Sequence, residues 1–258
     1  MRLKGKIAIV TGAAQGIGRG IALEFAKEGA DMMLMDLQGD KLAKTAKEIE
    51  ALGRKVTTCV GNVADKETVV ACVNKTVETF GRIDIMMHAA GILFSSSIID
   101  LDIKNWQRVV DVNLLSSFLF CKYVGKQMVE QKSGAMILID SCASKTGEAF
   151  NAVYCASKAG VRLLGQSFAL EVAASGVRVN TIAPGTINTD MIDKCLHERA
   201  PMFGLTYEEY LDQFNSETPL KRMGEPEEIG KLCVFLASDD ASFITGSSYN
   251  ISGGRENH

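Results

Sequence analysis

Lys6-Ile7-Ala8-Ile9-Val10-Thr11-Gly12-Ala13-Ala14-Gln15-Gly16-Ile17-Gly18-Arg19-Gly20-Ile21-Ala22 carries three local signals in succession. Lys6–Thr11 is an apolar, β-branched run of strand length. Gly12, Gly16 and Gly18 then mark a turn, and residues 16–29 take up the longer spacing of a helix. A strand that passes into a helix through glycines leaves the helix N-terminus bare. Its first N–H groups lack partners in the chain and sit at the positive end of the helix dipole. Gly12 permits a tight turn, while Gly16 and Gly18 allow close approach of the backbone. The joint predicts a seat for the pyrophosphate of a dinucleotide, built from Gly12, Gln15, Gly16, Ile17 and Gly18. The spacing is GxxxGxG rather than GxGxxG, and a glycine turn needed only for packing is the competing explanation.

The same alternation continues outward. Asp31–Asp36, Lys55–Val60, Asp84–His88, Ala135–Asp140 and Val177–Ala183 read as strands, and Ser247–Ile251 adds a last one. Several are nearly continuous apolar runs, as parallel strands covered on both faces are. Helices are predicted near 40–52, 65–81, 102–131 and 152–174. Gly29, Gly53, Gly81 and Gly176 fall where helices should stop. Asp65 is placed to cap the third helix, with Thr68 in its first turn, and Asp40 to cap the second. The expected fold is α/β: a single domain, 1–258, with a Rossmann-like doubly wound parallel sheet of about seven strands and helices on both faces. Between Pro184 and Pro226 periodicity weakens and Phe203, Tyr207, Tyr210 and Phe214 gather. Residues 186–225 are read as an insertion with one or two short helices. It leaves the carboxyl end of a strand, where ligands bind, so it is expected to be a substrate lid.

Composition excludes several classes. A net charge of −3 over 258 residues gives no electrostatic footprint for nucleic acid or an anionic membrane. No window approaches the roughly 18 apolar residues that cross a bilayer. A soluble, cytoplasmic protein without nucleic-acid or membrane partners is expected. The seven cysteines form no CxxC pair, which suits reduced thiols. His88, His197 and His258 are too dispersed for a metal site, and none is expected.

Tyr154 and Lys158, four residues apart, project from one face of a helix. A free tyrosine has a pKa of about 10, so a base working near neutrality needs it lowered by roughly 3 units, about 4 kcal/mol. The Lys158 ammonium is expected to supply that favour to the phenolate. With the glycine joint, the pair points to hydride transfer on a nicotinamide cofactor, tyrosine acting as acid or base. Asp36 ends the second strand eighteen residues after Gly18. A carboxylate there accepts both adenosine ribose hydroxyls and repels a 2′-phosphate, and no arginine or lysine stands at Ala13, Ala14 or Leu37 to offset it. NAD is favoured over NADP. The plainer alternatives are a solvated aspartate and a surface YxxxK.

With these motifs in order, the chain resembles the short-chain dehydrogenase/reductase family over nearly its whole length. TGxxxGIG is Thr11–Gly18, YxxxK is Tyr154 and Lys158, and the family's serine matches Ser141, thirteen residues before the tyrosine. Its asparagine matches Asn113 in Val110-Asp111-Val112-Asn113. Pro184-Gly185 is followed by Thr186-Ile187-Asn188-Thr189, and Pro219–Glu228 matches the stretch before the last helix. The resemblance implies that Asn113, Ser141, Tyr154 and Lys158 are catalytic. Ser141 would donate to the substrate oxygen, Asn113 would hold a water beside Lys158, and Lys158 would bond the nicotinamide ribose. It adds Asn62, Val63, Ala89, Ala90, Gly91, Pro184, Gly185, Ile187 and Thr189 to the cofactor site, together with Tyr154 and Lys158. Three positions depart from the pattern: Asn62 replaces an aspartate, His88-Ala89-Ala90-Gly91 replaces NNAG, and Ile251-Ser252-Gly253-Gly254 replaces VDGG. His88 is expected to be a packed strand-end residue.

The lid and Tyr249–Gly254 are most similar to bacterial polyol and sugar dehydrogenases of the sorbitol-6-phosphate and acetoin/butanediol types. A polar alcohol or ketone substrate is implied, and a phosphorylated one would suit Lys194, His197 and Arg199. Ser95, Ser96, Ser97, Ser144, Lys145, Glu148 and Asn151 could dress its pocket. Hydroxysteroid dehydrogenase and 3-oxoacyl carrier-protein reductase are the rival activities, and a non-catalytic NAD-binding protein is the rival of another class. Relatives pair long helices into tetramers, so a homotetramer is implied, with Phe118, Leu119, Phe120, Leu163, Leu164 and Phe168 as candidate apolar faces.

Overall fold

Seven parallel strands form one sheet in the order β3-β2-β1-β4-β5-β6-β7 in a computed structural model that describes residues 1–255. The strands are β1 Ile7–Thr11, β2 Asp31–Asp36, β3 Val56–Val60, β4 Ile85–His88, β5 Gly134–Ile139, β6 Val177–Pro184 and β7 Ser248–Ile251. His258 lies outside the described residues. The helices are α1 Gly16–Lys27, α2 Gly39–Ala51, α3 Lys66–Phe80, α4 Ile103–Val110, α5 Ser116–Gln131, α6 Ala152–Val172, α7 Asp190–Arg199, α8 Tyr207–Glu217 and α9 Pro226–Ala237. None among the described residues is long and apolar enough to cross a membrane.

Alternate residues of each strand feed two cores, which is why the strands read as unbroken apolar runs. Ala8 and Val10 pack with Ile21, Phe25 and Ile229 beneath α1, α2 and α9. Ile9 packs with Val69, Phe120 and Val161 beneath α3, α5 and α6. Strand order reverses between β1 and β4, so the turns that follow them diverge to opposite faces and leave a crevice. Those turns touch: a Cβ on Gly12 would lie 2.9 Å from the Ala90 Cα.

Local signals hold in most places. Gly29, Gly53, Gly81 and Gly176 take φ of 94°, 75°, 82° and 74° behind their helices. The Asp65 carboxylate accepts from the Thr68 N–H at 2.8 Å. Asp40 does not cap: α2 begins one residue earlier, at Gly39, and no side chain caps it.

The single helix predicted for 102–131 is two helices joined by a π-helical turn, Asp111–Leu115. Apolar spacing persists through the junction, so periodicity does not reveal the break. In the wide turn the Ser116 N–H reaches back to the Asp111 carbonyl. The Val112 and Asn113 carbonyls accept from the hydroxyls of Ser116 (2.5 Å) and Ser117 (2.7 Å).

The excursion after β6 holds α7, a 3₁₀ turn at Ala200–Phe203 and α8, around a small core of Leu196, Ala200 and Tyr210. Its neck is closed by a bridge between Ile187 and Gly224. There Asn188 N–H donates to the Gly224 carbonyl (2.9 Å) and Gly224 N–H to the Thr186 carbonyl (3.0 Å). Phe203 stacks on Tyr210 and sets its edge on Phe150, each with ring centroids 5.4 Å apart, which ties the excursion to the loop before α6.

Candidate active site

A cleft of about 580 Å³ opens at the strand-order reversal. It is lined by Gly12, Gln15, Gly16, Ile17, Gly18, Asp36, Asn62, Val63, Ala89, Ala90, Gly91, Tyr154, Lys158 and Thr189. The remaining predicted cofactor residues, Pro184, Gly185 and Ile187, line a neighbouring cavity of about 110 Å³ under the excursion, with Ser141, Glu148, Asn151 and Arg199. Ile17, Ile139, Tyr154, Thr189 and Met191 belong to both walls, so Tyr154 stands between the two spaces. Leu37, Gln38, Ile92, Arg108, Ile139 and Met191 also line the cleft and were not foreseen. Of these, Leu37 and Gln38, next to Asp36, could have been found from sequence.

The cleft fits a dinucleotide. A Cβ on Gly18 would lie 2.1 Å from the Gly12 carbonyl oxygen, so the turn is wound as tightly as glycine alone allows. No side chain caps α1 at Gln15, which leaves its first-turn N–H groups for an anion. Asp36 is held in place, one oxygen accepting from Ala14 N–H (3.0 Å) and the other from Gln38 N–H (2.9 Å). Each oxygen retains a lone pair for a ribose hydroxyl. The Asn62 side-chain oxygen accepts from Ala64 N–H at 3.0 Å, so part of the capacity expected for the adenine is already used.

The YxxxK pair lies on α6 as predicted, Lys158 buried and Tyr154 half-buried, with the Lys158 Nζ 5.7 Å from the centre of the Tyr154 ring. Its effect on the phenol differs from the expectation. Lys158 donates to the Ile139 carbonyl at 2.8 Å, and burial pushes its pKa down to about 8 against the opposing pull of Asp140. Burial drives the Tyr154 phenol above its ordinary value, the Ser141 hydroxyl opposes this, and the charges of Glu148 and Asp140 add to the rise. Desolvation dominates, and the protein alone holds a protonated phenol at neutral pH.

Ser141 follows β5, and its Oγ accepts from Ala143 N–H at 3.1 Å. Asp140 beside it is buried, one oxygen accepting from Ser248 (3.0 Å) and Thr181 (3.2 Å), and burial pushes it up to about 6. Asn113 sits in the wide turn at 1% exposure. Its amide exchanges two hydrogen bonds with Ile92, Oδ1 accepting from the N–H (2.8 Å) and Nδ2 donating to the carbonyl (3.0 Å). Nδ2 also donates to Ser157 Oγ (3.0 Å), which donates to the Tyr154 carbonyl (2.8 Å). Asn113 thus joins the cleft wall to the helix of the YxxxK pair. A Cβ on Gly91 would lie 3.3 Å from its Oδ1 and 3.4 Å from the Lys158 Nζ, so both groups close around the glycine.

On the cavity side, Glu148 Oε2 accepts from Asn151 Nδ2 (2.9 Å) and from Arg199 Nη1 (3.3 Å). The three basic residues singled out in the excursion separate: Arg199 is buried, whereas the side chains of Lys194 and His197 are 76% and 57% exposed and do not line the cavity. Ser95, Ser96, Ser97, Ser144 and Lys145 also lie outside its wall, and Lys145 pairs with Asn250 at 2.5 Å.

A family model described as enoyl-(acyl carrier protein) reductase matches residues 12–256. The chain is 37% identical to a 3-oxoacyl-[acyl-carrier-protein] reductase of Thermotoga maritima, covering 98% of this chain and 99% of that one. It is 38% identical to a short-chain dehydrogenase/reductase of Armillaria gallica, covering 97% and 96%. Among solved structures, levodione reductase matches with a TM-score of 0.94 at 32% identity over 98% of each chain. NAD⁺-bound xylitol dehydrogenase matches at 0.95 and 29% identity, over 98% of this chain and 100% of that one. Motif order, sheet topology and end-to-end similarity agree: the chain belongs to the short-chain dehydrogenase/reductase family of oxidoreductases.

Proposed function

We propose that this protein is an NAD-dependent dehydrogenase that interconverts a secondary alcohol and its ketone, with an uncharged polyol or sugar as substrate, acting as a homotetramer. The observation that carries this is the position of Tyr154, a half-buried residue in the wall shared by the dinucleotide cleft and the cavity that holds Ser141. A substrate hydroxyl in that cavity lies between the two side chains. Ser141 holds its oxygen, and Tyr154 takes the proton on oxidation or returns it on reduction. NAD, when bound, accepts or supplies the hydride. Lys158 orients on the Ile139 carbonyl and, half-charged near pH 8, keeps a proton at hand.

The choice of NAD is supported by Asp36 and by the lack of a cation at Ala13, Ala14 and Leu37. The choice of an uncharged substrate is supported by Arg199: its charge is already matched by Glu148, and the exposed Lys194 and His197 offer nothing to a phosphate inside. The preference for polar hydroxyls over a steroid follows from Glu148 and Asn151 in a small cavity. The test is NADH formation across polyols, sugars, sugar phosphates, vicinal diols and hydroxysteroids, repeated with NADP, beside reduction of 3-oxoacyl thioesters with NADH and NADPH. Neutral polyols with NAD should be fastest. Faster thioester reduction with NADPH would replace the proposal with an acyl reductase, and tight NAD binding without turnover would leave a non-catalytic binder.

A further inference from the structure

His88 ends β4 with its ring fully enclosed, against Phe120 at a centroid distance of 5.0 Å. Simple packing does not describe it, because each ring nitrogen has a partner. Nδ1 lies 2.8 Å from Thr11 Oγ1 and Nε2 lies 2.8 Å from Ser116 Oγ. The protons around it settle which nitrogen is the donor. Thr11 Oγ1 accepts from Ala89 N–H (3.1 Å) and Ala90 N–H (3.2 Å), which uses both lone pairs and leaves its own proton for Nδ1. Ser116 Oγ gives its proton to the Val112 carbonyl at 2.5 Å, so it receives one from Nε2. Neutral imidazole protonated on Nε2 satisfies every group in this chain. A second proton on Nδ1 would face a hydroxyl with no lone pair free.

The chain starts at the turn that touches the cleft and ends at the Val112 carbonyl within the π-helical turn, one residue before Asn113. We propose that His88 is a positioning residue. As the Nε2-protonated neutral tautomer, it couples the glycine turn after β1 to the wide turn that aims Asn113 at Ile92 and Ser157. This assignment rests on the dehydrogenase function proposed for the site, in which that aim sets the Tyr154 helix against the cleft. Burial agrees with the neutral form, pushing the ring down to about 3, with the charge of Lys158 in the same sense. Imidazole suits the task because its acceptor and donor lie on opposite edges of a rigid ring. An asparagine here would set its amide oxygen where Nδ1 stands and nothing where Nε2 stands.

That difference gives the test. His88→Asn keeps the Thr11 bond and breaks the Ser116 bond; Ser116→Ala breaks the same link from the other end; Ser116→Thr keeps it. Each of the first two should lower kcat by about 10–100-fold, the scale of a small misplacement of reacting groups, with the NAD Kd held within about twofold. The double variant should be no slower than the slower single one, because one connection is lost either way. Ser116→Thr should retain the wild-type rate. Wild-type kcat in both single variants, losses that multiply, or a Kd that weakens in step with kcat would overturn the assignment.

Two readouts do not depend on turnover. The chain has three histidines, so ¹⁵N-histidine NMR, with His88 assigned from its absence in His88→Asn, should show a protonated Nε2 and bare Nδ1. That pattern should persist across about pH 5–8, where a free imidazole of pKa about 6.5 titrates. Amide exchange at Ile92 should quicken in His88→Asn and Ser116→Ala but not in Ser116→Thr. A ring that titrates in that range, the other tautomer, or unchanged exchange would overturn the coupling. If wild type turns over no substrate, the dehydrogenase function fails, while the tautomer and the exchange still decide the coupling.

Discussion

A phenol held protonated beside a lysine close to losing its proton defines the acid–base character of the site. Tyr154→Phe should remove the transferable proton and lower kcat by about 10²–10⁴-fold. Calorimetry should find the NAD Kd unchanged, and a variant that oxidises alcohol at the wild-type rate would defeat the mechanism. Asp140 raises the Lys158 pKa, so Asp140→Asn should move it below its present value of about 8. The pH profile of kcat/KM should shift its inflection toward acid accordingly. The same shift bears on stability. Between about 8 and its ordinary 10.5, Lys158 has shed a proton in the folded chain that the unfolded chain keeps. Its contribution to stability therefore rises with pH through that window. Asp36→Asn removes the charge that repels a 2′-phosphate but keeps an acceptor for a backbone N–H. It should narrow the ratio of kcat/KM for NAD over NADP by at least about tenfold, 1.4 kcal/mol. Tyr154 and Lys158 were legible as a pair from their spacing, and Ser141 and Asn113 only through the family resemblance. The state of the phenol was not, since the depth of burial and the lysine's attachment to the Ile139 carbonyl arise only in the folded chain.

Among the elements, glycines at helix ends were legible and glycines inside helices were not. The former answer to local backbone shape; the latter answer to a partner far away in sequence. Gly20 in α1 lies against Pro226 in α9, where an added Cβ would sit 2.6 Å from the proline Cβ and 2.8 Å from its carbonyl carbon. Gly20→Ala should cost about 1–3 kcal/mol, an overpacking penalty, read as a lower melting temperature with little change in kcat. The junction in 102–131 was invisible for a related reason. A π-helical turn keeps the apolar face of its helix, and only the paired hydroxyls of Ser116 and Ser117, bonded to carbonyls of the turn, mark it. His88 escaped in the same way, as its two partners lie on β1 and α5. The excursion was visible as a gathering of aromatics, yet which basic residue turned inward was not. Arg199→Met should leave Glu148 short of a partner and raise substrate KM by about tenfold or more, with the NAD Kd unaffected.

At the scale of the whole molecule, alternation of strand and helix implied the doubly wound parallel sheet, and the structure has its seven strands. What the exposed faces are for was not legible, because core and interface share one periodicity. Phe118 on α5 is 44% exposed, and Leu163 and Leu170 on α6 are 62% and 84% exposed. Leu163 and Leu170 stand two turns apart on one face. Under the proposed homotetramer this surface is covered, and sedimentation should give four copies for wild type and a smaller species for Leu163→Glu with Leu170→Glu. A monomeric wild type would refute it. The closed neck at Ile187 and Gly224 has a consequence for how such a protein diversifies. Because 186–225 departs and rejoins through one bonded pair, its length and content can vary at little entropic cost to the sheet. Under the proposed function this segment is an exchangeable cassette that contributes to selectivity, so transplanting a homologue's segment between those two positions offers a route to new substrates on an unaltered chassis.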